Sequence, residues 1–62
     1  MKTWEEIHAE VLQCALNQPH CRVGQAYVNQ HPLLERELQD TLYSSLGDEQ
    51  MITALIYKYQ SK

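Results

Sequence analysis

His8, Cys14, His20, Cys21 and His31 are the residues of this chain whose types suit metal binding or acid–base chemistry. Zinc sites are built from close pairs such as C-x₂-C and H-x₃-H, and neither occurs. Cys14 lies six residues from both His8 and His20, and ligands six apart on a helix point about 120° from each other. The spacing therefore predicts no metal site. Both thiols are expected to be reduced and structural, with a single Cys14–Cys21 bridge, or a redox or metal switch at this pair, as the alternatives. Nucleophilic chemistry has no better support. Ser44, Ser45 and Ser61 lack a G-x-S-x-G setting, and Gly24 and Gly47 stand alone, so neither opens a phosphate-binding loop. No cofactor and no enzymatic activity are expected. His8 falls within an apolar helical stripe, which predicts a core or interface side chain rather than a general base.

The elements that carry these residues read as helices. Thr3-Trp4-Glu5-Glu6 is a capping box, so a first helix starts at about Trp4. Trp4, Ile7, Val11, Leu12 and Ala15 give it an apolar face, and Asn17-Gln18-Pro19 ends it. Val23, Ala26 and Tyr27 predict a short helix over 22–30, with Gly24 allowing close packing against the first helix. His31-Pro32 breaks it, and Pro32 suits the first position of the next helix. That third helix is expected to run to Leu46, with Leu34, Leu38, Leu42 and Leu46 as its stripe and Gly47 just past its end. Asp48 is the N-cap of a fourth, whose core arc is Met51, Ile52, Leu55, Ile56 and Tyr59. No run alternates as a strand would, and no hairpin turn occurs. The expectation is an all-α single domain over 1–62, a small bundle of four helices, one of them short.

Sixty-two residues bury a small core, so a second subunit is a natural way to complete it, and a homodimer is expected. The formal charge is −3, and Lys2, Arg22, Arg36, Lys58 and Lys62 are scattered. Binding to phosphates needs a basic face, so nucleic acid is not the expected partner. The alternative is a small DNA-associated regulator using the second and third helices as a helix-turn-helix. There Glu35, Glu37 and Asp40 would outweigh Arg36 beside the phosphates. No apolar run approaches the roughly 20 residues of a membrane span, and Met1-Lys2 leads directly into Trp4-Glu5-Glu6 without an apolar leader. The expected address is the cytoplasm.

What remains is surface. Tyr43 lies opposite the leucine stripe and Tyr57 lies outside the arc of the fourth helix. Tyrosine at such places favours protein contacts, because it buries much area at low entropic cost. Gln25 and Asn29, at i and i+4, form a polar ridge with Arg22. Tyr43, Tyr57, Arg22, Gln25 and Asn29 are therefore the expected partner-binding residues of a non-catalytic protein-interaction module. The string Arg22-x-Gly24-Gln25-Ala26-x-x-Asn29, followed by Pro32 and a leucine-bearing helix, resembles a pattern in short uncharacterised proteins of tailed phages and prophages. The likeness spans about residues 22 to 46. It implies a small accessory protein of a mobile element and carries no activity or site residues with it.

Overall fold

A computed structural model describes residues 1–61. Four helices follow in order: α1 (Trp4–Asn17), α2 (Val23–Gln30), α3 (Arg36–Ser44) and α4 (Glu49–Gln60), with no strand among the described residues. The first cap forms as its sequence dictates. The backbone N–H of Glu6 donates to Thr3 Oγ1 at 3.2 Å, and the N–H of Thr3 donates to Glu6 Oε1 at 3.0 Å. These bonds favour the ionised side chain, so the Glu6 carboxyl is held below its ordinary value of 4.5, chiefly by the Thr3 N–H. The cap consequently weakens as pH falls below 4.5 through the lowered value and is fully present above it. Thr3→Ala is expected to cost about 1 kcal/mol at neutral pH. Urea unfolding measures it, and the variant should still lose stability on the acid side, because alanine keeps the backbone N–H that chiefly holds the Glu6 carboxylate.

At its other end, α1 closes with the Gln18 N–H on the Cys14 carbonyl at 3.1 Å, immediately before Pro19. A second fastener joins this end to α2: the Asn29 amide donates to Gln18 Oε1 at 2.9 Å. At α4, Asp48 accepts from the Met51 N–H at 3.1 Å, the expected N-cap.

The third helix is shorter than its leucine spacing predicts. Residues 32–34 form a turn, and α3 begins only at Arg36. The Gln39 amide donates to the carbonyls of Pro32 and Leu34, at 3.3 and 2.8 Å. A helix continuing from Pro32 would have given those acceptors to the backbone N–H groups of residues 36 and 38. The far end also stops early. The hydroxyl of Ser44 donates back to the Asp40 and Thr41 carbonyls, Ser45 is extended, and Leu46 leaves the stripe for solvent. Gly47 is consequently not a left-handed cap, since no glycine has a positive φ. Its N–H donates to Ser45 Oγ, and the Met51 side chain lies against its α-carbon. That placement takes Met51 out of the core arc and leaves it about half exposed.

The core is assembled from Ile7, Val11 and Cys14 of α1, Ala26, Tyr27 and Val28 of α2, Leu38 and Leu42 of α3, and Ile52 and Ile56 of α4. Fully buried Thr53 spends its hydroxyl on the Glu49 carbonyl at 2.7 Å, so no polar atom is stranded there. Around this core, α1 packs on α2 and α4, and α2 packs on α3. Trp4 at the start of α1 meets Tyr57 near the end of α4, so these two helices are antiparallel. The phase of α1 differs from the expected one: its core edge is Ile7/Val11/Cys14, while Leu12 is exposed and Trp4 sits at the margin. Gly24 differs too. Its close neighbours are the Leu42 backbone of α3 and the Ile52 side chain of α4, not α1.

Candidate functional site

Trp4, His8, Leu12 and Leu16 recur every four residues on α1, and each step of four turns the helix by only about 40°. They form one slowly winding ridge, displaced from the buried Ile7/Val11/Cys14 edge. Trp4, Leu12 and Leu16 are exposed and His8 is half-buried. The ridge meets α4 at its first residue, Trp4. Trp4 stacks on His8 with ring centroids 6.3 Å apart, and it meets Tyr57 edge-on at 6.1 Å. Both separations lie in the range of favourable aromatic pairs, so the two tethers hold three rings in fixed relation at the surface. On the same side of α4, Gln50 and Ala54 precede Tyr57 at helical spacing and are uncharged. The result is an aromatic and aliphatic face with a single carboxylate, Glu5, in its α1 arc.

Tyr57 thus belongs to a shaped surface, 41% exposed and held by Trp4. Tyr43 is equally exposed but stands elsewhere, next to the last residue of α3 and so near the start of α4. Tyr57 lies eight residues into α4, about 12 Å along its axis. The two tyrosines accordingly sit toward opposite ends of α4. Arg22 is the exposed N-cap residue of α2 and makes no side-chain cap bond. Gln25 is half-buried, and the Asn29 amide is engaged with Gln18. That polar ridge therefore includes a structural fastener.

The thiols and histidines stay apart. Cys14 and Cys21 are both free, and Cys14 is buried. Burial pushes the Cys14 thiol up, with Glu10 adding to the effect, which disfavours the reactive thiolate. Among the described residues no three His, Cys, Asp or Glu side chains are placed to hold a metal ion. His31 bonds the Tyr27 carbonyl through Nδ1 at 3.0 Å and stacks on the Tyr27 ring at 4.1 Å, a local structural role. Burial is also the main reason the Tyr27 hydroxyl is pushed up to about 12. No helix among the described residues is long and apolar enough to cross a membrane.

Sequence reasoning placed Trp4 and Leu12 in the core and missed this ridge. The signal was present: α1 carries two apolar series, 4/8/12/16 and 7/11/14, and one bundle face accommodates only one of them. Comparison with known protein families, curated proteins and solved structures finds no match for this chain.

Proposed function

We propose that this chain is a small non-catalytic protein-interaction module that binds a larger protein and modulates it by covering part of its surface. The observation that carries this reading is the aromatic and aliphatic face of Trp4, His8, Leu12, Leu16 and Tyr57. A contiguous apolar patch on a small polar protein marks a contact site, and tryptophan and tyrosine are the residue types that dominate contact energies. Tyr43, Arg22, Gln25 and Asn29 supply secondary contacts on α3 and α2. The phage-like string over 22–46 supports an accessory protein of a mobile element, acting in the cytoplasm as an inhibitor of a host protein. The exposed ridge of α3 carries Glu37 and Asp40, which favours a protein partner over nucleic acid.

A photoreactive phenylalanine analogue at position 57, with position 43 as comparison, tests the reading in cells. The expected result is one discrete protein adduct from position 57. With that protein in hand, Tyr57→Ala should weaken binding by roughly 30-fold, the effect of losing a contact of about 2 kcal/mol. The melting temperature should fall by only about 4–8 °C, the cost of the lost contact with Trp4 of about 1 kcal/mol, with the fold retained. A diffuse adduct pattern, or binding to DNA that falls steeply with salt, would overturn the proposal.

A further inference from the structure

Glu5 is exposed and, among the described residues, forms no hydrogen bond and no ion pair. The cations nearest to it along the chain are engaged elsewhere. Lys2 pairs with Glu10 at 2.5 Å. Lys2 and the Met1 ammonium also act on Glu6, whose carboxyl is held down first by the Thr3 bonds and then by these two charges. Glu5 is thus a carboxylate without a counter-ion. It stands one residue after Trp4 and three before His8, and side chains three apart on a helix are neighbours, so it borders the rings.

The rings themselves form a corner. Trp4 and Tyr57 meet at 72°, which makes two walls rather than one flat surface, and His8 extends the Trp4 wall with its ring inclined by 30°. Trp4 is 36% and Tyr57 41% exposed, so both walls can be reached from solvent. Among the described residues these three rings partner one another and no cation. Aromatic faces carry partial negative charge, so ring and carboxylate favour the same guest, a positive group. Leu12 and Leu16 narrow the choice. They continue the ridge about 12 and 18 Å from Trp4 along α1 and are exposed. A small free cation leaves them bare, whereas a peptide segment covers them. Arginine suits the corner better than lysine, because its planar guanidinium lies flat on a ring, forks onto a carboxylate and gives up water more readily.

We infer that the Trp4–Tyr57 corner and Glu5 form the seat for an arginine of the protein partner, carried on a segment whose apolar side chains cover Leu12 and Leu16. The inference rests on the interaction-module reading of this same face and names what the partner must present. The net charge of −3 acts in the same direction by drawing a basic segment toward the chain.

Acetyl-Leu-Arg-Leu-amide, titrated into isotope-labelled protein and followed by NMR, tests the seat against the same peptide with citrulline, which keeps the shape of arginine and lacks its charge. The Trp4 indole N–H and Tyr57 ring signals should move at least about threefold further with arginine than with citrulline at equal concentration. Glu5→Gln should reduce the arginine response to the citrulline level. Asp40→Asn, which removes an equal charge from α3, should leave it unchanged. Equal responses to the two peptides, an arginine response that survives Glu5→Gln, or no movement of the Trp4 and Tyr57 signals would each overturn the inference. The two readings of this face fail separately. A discrete adduct from position 57 whose crosslinked segment holds no arginine removes the arginine seat and leaves the interaction module standing. A selective arginine response beside a diffuse adduct pattern does the reverse.

Discussion

Gly24→Ala is expected to lower the melting temperature by roughly 10 °C or more, although alanine is the better helix former. The propensity gain is about 1 kcal/mol. Against it stands a methyl group placed 3.0 Å from the Leu42 carbonyl carbon and 3.3 Å from Ile52 Cδ1, with the Leu42 carbonyl oxygen closer still. Ile52 can give a little by rotation, but a carbonyl of α3 moves only if the helix moves. Overpacking of a well-filled core costs about 1–3 kcal/mol when side chains absorb it, and more when backbone must shift. A net loss of about 2 kcal/mol follows, and each kcal/mol is worth about 4–8 °C in a domain of this size. Thermal and urea unfolding followed by circular dichroism measures it. An unchanged or raised melting temperature would mean that α2 and α3 do not approach at this glycine.

The same residue shows where sequence reasoning reaches its limit. That Gly24 marks a close approach was legible, because a glycine inside an apolar-edged helix costs stability unless something needs the space. Which helix approaches was not, since nothing local to residues 22–30 distinguishes α1 from α3. Caps were legible for the opposite reason: Thr3 with Glu6, and Asp48 with Met51, act within one turn, so their partners are fixed by spacing alone. The bounds of α3 were obscured by side chains that compete for backbone acceptors. Gln39 reaches back over the turn at Pro32–Leu34, and Ser44 takes carbonyls at its own end, neither of which an apolar period can register. On α1 the difficulty was an excess of signal. Trp4 fits both apolar series, and only the position of α4, fixed by the Tyr57 contact, decides which series faces inward. Tyr57 was legible as a surface residue because it lies outside the arc of its own helix. Its neighbours Trp4 and His8 come from the other end of the chain.

Leu42→Ala and Leu46→Ala should differ by about 3 kcal/mol, though a four-residue stripe makes them equivalent. Leu42 is completely buried, and its backbone carries the approach of Gly24, so truncation opens a cavity where α2, α3 and α4 meet. Buried leucine-to-alanine changes cost about 3–5 kcal/mol when the surroundings cannot collapse, and the Leu42 backbone already in close approach to Gly24 leaves little room to collapse. Leu46 is 79% exposed beyond the end of α3, so its loss should stay within about 0.5 kcal/mol. At roughly 0.05–0.15 kcal/mol per residue, a chain of this length holds about 3–9 kcal/mol in total. Leu42→Ala therefore removes a third of the stability at least, and leaves the protein unfolded if the total lies at the lower end. Equal effects from the two substitutions would mean that α3 continues through Leu46, as its leucine spacing alone implies. The pair also calibrates the functional test. Leu42→Ala loses every surface at once because it loses the fold, whereas Tyr57→Ala removes one ring from a face whose support remains. Binding lost in both, with the fold lost only in the first, is the pattern that assigns the contact to the Trp4–Tyr57 ridge rather than to the integrity of the bundle.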